Sequence, residues 1–239
     1  MPKIAKWLGD TIETLMSSKF PLMQVLETTF ITPTIKKIRL QGATGDMNFQ
    51  PGYAVIIRVS STEYRNYTAS FSESKDGIID IIAHIHGDYP GSNFMAQLQV
   101  NDEIRISMPR GKTVYNPHVS KQFLFGDETS LGLAASLQPL FKKHHHQYQF
   151  YFELDPGNMA APRLAGLDHY TVFSKSQLFH DEQWVATLPI FQETNWEDYN
   201  FIMAGNAKSI QTLRKVLRQN KARGSFLAQA YWAAGKVGL

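Results

Sequence analysis

The stretch 117-PHVSKQFLFGDETSLGLAASLQPLFKK-143 is where the chain changes its periodicity. Within it, 122-QFLFG is an apolar run short enough for a strand buried on both faces. The segment 129-TSLGLAASLQPLFKK that follows carries its apolar residues at helical spacing. The same unit recurs downstream, with strands predicted at 148-YQFYFEL, 169-HYTVFS, 199-YNFIMAG and 225-SFLAQAYW and helices at 176-SQLFHDEQWVATL and 206-NAKSIQTLRKVLRQNKAR. Alternation of strand and helix predicts an α/β doubly wound parallel sheet with helices on both faces.

Upstream of Pro117 the period is two. The runs 24-QVLETTFIT, 34-TIKKIRL, 53-YAVIIRV, 64-YRNYTASF, 78-IIDIIAHIH and 104-IRISM are separated by turn signals such as 51-PG and 75-KDG. They predict an antiparallel six-stranded β-barrel, interrupted by one helical stretch at 91-GSNFMAQLQV. Residues 1–19 form a third segment, in which Ile4, Leu8, Ile12, Leu15 and Met16 share a helical stripe beside Trp7. Asp10 and Glu13 on its other face suit a docked structural helix better than a membrane-surface one. The expected organisation is therefore a helix over 1–19, a barrel over 20–117 and an α/β unit over 118–239.

Composition narrows the function. Lys and Arg number 12 against 11 acidic residues in 1–117, and 12 against 10 in 118–239, so neither half offers the basic field that nucleic acid requires. Cysteine is absent, which excludes disulfides, thiolate chemistry and cysteine-held zinc or iron–sulfur clusters. Apolar runs are too short to span a bilayer, and Lys3, Lys6 and Asp10 interrupt the start where a signal peptide would be apolar. The expectation is a cytoplasmic protein with no membrane insertion.

Several short patterns carry chemistry, each with a plain structural alternative. On a strand through 63-EYRNYTASFSES-74, Arg65, Tyr67, Ala69 and Phe71 share a face. In 86-HGDYPGSNFM-95, Pro90, Gly91 and Ser92 open a helix whose unpaired N–H groups could receive a phosphate, or could simply follow a strand as a capped turn. Arg65 and that helix start are together the two parts of a pyrophosphate clamp. The turn 126-GDETSLG-132 sits where a nucleotide phosphate docks in an open sheet, but Gly126 and Gly132 do not make the dinucleotide fingerprint, and Asp127 to Thr129 is also ordinary capping chemistry. After 204-AGNAKS-209, with Asn206 as N-cap, one helix carries Lys208, Arg214, Lys215, Arg218, Lys221 and Arg223 with no acidic residue between them, a solvated face or a seat for an acidic partner. His144 to His146 end a helix, and His84 and His86 share a strand face without a third ligand in the sequence, so no protein-bound metal is expected. Hydrolase and P-loop motifs are missing.

Taken together, Arg65-x-Tyr67-Thr68, 86-HGDYPGS-92, 126-GDETS-130 and 231-YWAAG-235 resemble the siderophore-interacting proteins, FAD-dependent ferric-siderophore reductases of the ferredoxin-reductase superfamily. The resemblance spans 20–235. It implies that Arg65 pairs with the FAD pyrophosphate, that Tyr67 packs on the isoalloxazine or ribityl and that Thr68 hydrogen-bonds near flavin N5, making Tyr67 and Thr68 the catalytic pair. It places His86, Gly87, Pro90, Gly91 and Ser92 around FAD, and Gly126, Asp127, Glu128 and Thr129 on the nicotinamide side, with NADPH or NADH as donor. Tyr231 and Trp232 are implied near the flavin and a substrate cleft. Lys208 and Arg214 are the candidates for a 2′-phosphate. The sequence departs from the family pattern at Ser70, Asn93, Asn206 and Ala233, each without the charge expected there. The expected activity is transfer of electrons through FAD to a ferric siderophore. Another acceptor or partner, such as a quinone or a ferredoxin, and a binding protein without turnover are the alternatives.

Overall fold

The computed structural model describes Trp7 and residues 19–45, 47–73 and 75–236, so the helix expected over 1–19 lies almost wholly outside the described residues. The chain divides into two compact units between Thr113 and Val114. The division precedes the expected bend at Pro117 because the intervening segment is tied into the second unit. Gln122 Nε2 donates to Asn116 O at 3.0 Å and Val119 O at 2.7 Å, and Tyr115 Oη bonds His146 Nε2 at 2.7 Å.

In the first unit, strands β1 (Leu22–Thr32), β2 (Ile35–Gly42), β3 (Ala54–Arg58), β4 (Tyr64–Glu73), β5 (Ile78–His84) and β6 (Glu103–Arg105) form one antiparallel sheet in the order β3-β4-β5-β2-β1-β6. Bridges Ile57–Ile106 and Ala54–Arg110 bring the two edges together, giving a nearly closed barrel. Alternate residues fill it: Val25, Ile38, Leu40, Val55, Ile57, Ile79, Ile81 and Ile106 are buried in one cluster. A helix, α1 (Pro90–Gln97), follows β5.

One expectation about β4 is corrected. Phe71 does not share the face of Arg65 and Tyr67 but is 45% exposed, because Ala69 pairs with Ile81 while Phe71 pairs with Asp80. Ser70 is the extra residue of a β-bulge, buried, with Oγ donating to Asp80 O at 3.0 Å.

Asp80 is buried under two cations on β2. Arg39 reaches it with Nε at 2.7 Å and Nη2 at 2.9 Å, and Lys37 Nζ lies 3.1 Å away. Burial pushes the carboxyl up, but the bonds from Arg39 and Lys37 outweigh it and hold Asp80 below the usual carboxylate range. Stability from a depressed carboxylate is present above its unfolded value and is lost as pH falls through the folded one. Arg39→Met should cost about 2 kcal/mol at pH 7, shrinking below pH ~4, as read by urea unfolding at both pH values. An equal loss at both would show that only packing was removed.

The second unit is a parallel sheet in the order β11-β10-β7-β8-β9, built from β7 (Lys121–Gly126), β8 (Gln147–Leu154), β9 (Tyr170–Ser174), β10 (Asn200–Asn206) and β11 (Phe226–Trp232). Helices α2 (Leu131–Lys143), α3 (Ala161–Leu164), α4 (Glu182–Val185) and α5 (Ala207–Gln219) connect or follow them. Phe123 and Phe125 pack with Tyr151 and Phe201 in one cluster while Leu124 is buried outside it, as expected for strands covered on both faces. The single helix expected over 176–188 is instead a 3-10 turn, Gln177–His180, followed by α4. Asp181 breaks it, accepting from Gln183 N and Trp184 N and so starting a new helix. Among the described residues no helix is long and apolar enough to cross a membrane.

Candidate functional site

In the first unit, β4 and the start of α1 meet. Tyr67 packs against the barrel core, and its hydroxyl donates to Gly91 O at 3.3 Å. Burial pushes the Tyr67 phenol well above its ordinary value against the opposing pull of Arg65, so it is a neutral hydrogen-bond donor. A Cβ at Gly91 would lie 3.1 Å from Tyr67 Oη and 3.2 Å from Arg65 Cγ, so glycine is what lets the helix start come this close. The N-cap residue Tyr89 provides no side-chain cap, and the first turn of α1 carries no acidic group. Its end is therefore suited to an anion.

The loop before it is shaped by its own bonds. Ser92 Oγ accepts from His86 N at 2.9 Å and donates to His86 O at 2.8 Å, so Ser92 closes the loop rather than presenting its hydroxyl. Gly87 has φ +58°, and Pro90 supplies the first helical turn without needing a donor. Arg65 uses Nη1 on Tyr64 O at 2.9 Å and Nη2 on Glu63 at 3.3 Å, two of the five donors of a guanidinium. Thr68 follows Tyr67 on the strand and so lies on its opposite face, paired in register with Ala54 rather than with the core residue Val55.

In the second unit the strand order reverses between β7 and β10, and the residues expected on the nicotinamide side converge there. Their side chains are engaged by one another and by the groups around them. Asp127 accepts from Thr129 N at 2.9 Å and Thr129 Oγ1 at 2.5 Å through one oxygen, and from Trp232 Nε1 at 2.6 Å through the other. Glu128, with no exposed surface, accepts from Asp155 N at 2.7 Å, Asn158 Nδ2 at 3.2 Å and the Lys175 ammonium. Burial raises the Asp127 carboxyl despite its hydrogen bonds from Thr129 and Trp232. Gly205, at φ +113°, leaves room for this carboxylate, since a Cβ there would lie 2.6 Å from Asp127 Oδ2. A Cβ at Gly126 would lie 2.8 Å from Ala204 O. Trp232 thus joins the Asp127 network, with Lys175 Nζ 5.9 Å above its ring, and Tyr231 is half-buried beside it. Lys208 lies at the start of α5, but Arg214 is six residues along, about 9 Å up the axis, so the two do not converge on one phosphate.

Residues 23–115 match the family model described as an oxidoreductase FAD-binding domain. That match falls almost wholly within the first unit. No curated protein matches the chain in sequence. Among solved structures, the siderophore-interacting protein from Acinetobacter baumannii is similar at 19% identity and TM-score 0.72, over 91% of this chain and 92% of that one. A ferredoxin NADP+ reductase from Neisseria gonorrhoeae, solved with bound FAD and NADP, gives 14% identity and TM-score 0.73 over 90% and 99%. The siderophore-interacting protein SipS from Aeromonas hydrophila gives 17% and 0.68 over 90% and 99%. These likenesses establish the fold of barrel plus parallel sheet.

Arg65 and the start of α1 at Gly91 offer a cation and backbone N–H groups, the chemistry that a dinucleotide pyrophosphate requires. Sequence patterns did not single out Lys175, Asp155, Asn158 or Glu153, although Lys175 and Asp155 directly follow strands at the carboxyl edge of the sheet, where ligand-proximal groups gather. Lys36 in the first unit was also missed, because it interrupts an apolar alternation and so reads as a surface position.

Proposed function

We propose that the protein is a flavin-dependent ferric-siderophore reductase of the cytoplasm. The observation that carries this reading is the meeting of Arg65, Tyr67 and the uncapped helix start at Gly91 within an FAD-binding domain. FAD, when bound, lets a two-electron donor serve a one-electron acceptor such as chelated Fe(III). Arg65 and the N–H groups at Gly91 would hold its pyrophosphate. Tyr67 would fix the helix start through Gly91 O, and Thr68, on the face that Tyr67 leaves open, would offer its hydroxyl to the flavin. Fe(III) is substrate, held by its siderophore. The donor would be NADPH or NADH on the second unit, with a small acidic ferredoxin as the alternative donor or acceptor suited to the exposed Lys208, Lys215 and Arg218 on α5.

Substrate charge follows from the same residues. Ser70 is buried at the bulge, and Asn93 bonds Asp88 at 2.6 Å, so neither position supplies a cation. A neutral hydroxamate chelate is therefore the better substrate than an anionic catecholate. The test is to load the purified protein with FAD, reduce it anaerobically with NADPH, NADH or reduced ferredoxin, and add each ferric chelate with a ferrous trap. Reoxidation with Fe(II) release, faster for the hydroxamate, is expected. Failure to retain FAD, or a reduced flavin that no ferric chelate reoxidises, would overturn the proposal.

A further inference from the structure

Lys36 lies on β2 with 3% of its surface exposed, an unusual place for an ammonium group unless it has partners. Its Nζ donates to Ala96 O at 2.9 Å and to Leu98 O at 2.6 Å, the carbonyls at the C-terminal end of α1. The last turn of α1 carries no basic residue of its own, so this cation from the sheet supplies the charge that a helix C-terminus favours. Lys36 also sits 5.3 Å from the Phe30 ring centroid. Burial lowers its pKa while Asp102 pulls it back up.

The other end of α1 is the turn at Gly91 and Ser92, packed on Tyr67 and Arg65. An eight-residue helix is a rod about 12 Å long, and Met95 anchors its middle in the barrel core. Fixing its C-terminal carbonyls therefore fixes where its N-terminal N–H groups point. We infer that Lys36 is a positioning residue for the phosphate end of the flavin: from the far end of α1 it holds the helix start in place beside Arg65. This inference rests on the reading of that start as the FAD pyrophosphate site.

Because the effect passes through a phosphate clamp, it should separate flavins by whether they carry phosphate. FAD and riboflavin affinities are measured by flavin fluorescence for the full chain and for Lys36→Met, together with hydrogen exchange at the amides of residues 91–93. Lys36→Met is expected to lose about 10-fold in FAD affinity, to change riboflavin affinity less than about twofold, and to exchange faster at 91–93. Lys36→Arg, which keeps a donating cation, should recover most of the FAD loss. Equal losses for both flavins would show a general effect on the barrel and overturn the inference, as would unchanged FAD affinity with unchanged exchange. If K36M does not fold, Lys36→Gln is read by the same comparison. An unsubstituted protein that binds riboflavin as tightly as FAD would overturn the site reading and this inference together, whereas a phosphate-dependent unsubstituted protein with an unaffected Lys36 variant overturns the inference alone.

Discussion

Arg65→Ala should lower FAD affinity by ~30–150-fold, equivalent to ~2–3 kcal/mol for a charge-assisted contact to phosphate. The Arg65 side chain is 23% exposed, so an anion at the helix start would meet a partly desolvated cation. Its structural partner Glu63 competes for the same Nη2 at 3.3 Å. Glu63→Gln should therefore leave FAD affinity unchanged or raise it, which distinguishes loss of the cation from disturbance of the strand. Fluorescence titration of FAD at low and moderate salt measures both variants. Retention of full affinity in the alanine variant would remove Arg65 from the site.

Glu153→Gln is expected to stabilise the protein at pH 8 and to leave its stability unchanged at pH 4. Glu153 is 2% exposed on β8, and burial, with Asp127 and Glu128 nearby, lifts its carboxyl to about 7 against the weaker pull of the Ser209 hydroxyl and Lys175. The sign follows from comparing states. Below the unfolded value of 4.5 both folded and unfolded chains carry the proton, and there is no penalty. Between 4.5 and about 7 the unfolded chain ionises while the folded one does not, so stability falls as pH rises. Above that the penalty is constant at ~3 kcal/mol. Glutamine keeps the shape without the charge. Urea unfolding at pH 4 and pH 8 measures the difference, and a destabilised glutamine variant at pH 8 would mean that Lys175 depends on an ionised Glu153.

Legibility from sequence followed the range of the interactions. Strands such as β2 and β5 could be read because Ile38, Leu40, Ile79 and Ile81 alternate with polar neighbours, and the switch at Pro117 announced the parallel sheet. The Arg65–Tyr67 pair was visible because alternation along one strand is local. Phe71 was misplaced since a bulge is set by the partner strand, not by β4 itself. The break at Asp181 was hidden because capping residues are tolerated within an amphipathic pattern. Lys36 and Lys175 gained their meaning from residues 60 and 47 positions away, which no motif of fixed spacing can express.

The extra residue at Ser70 also bears on how this strand can vary through insertions and deletions. Upstream of it, the pairing of β4 with β3 holds Arg65 opposite Ile57 and Tyr67 opposite Val55. Downstream, Phe71, Ser72 and Glu73 pair in a shifted frame with Asp80, Ile79 and Ile78. A bulge absorbs a one-residue change in length without transmitting it along the ladder. The hairpin between β4 and β5 can therefore lengthen, shorten or exchange its residues across related lineages while the half of the strand that carries Arg65 keeps its frame.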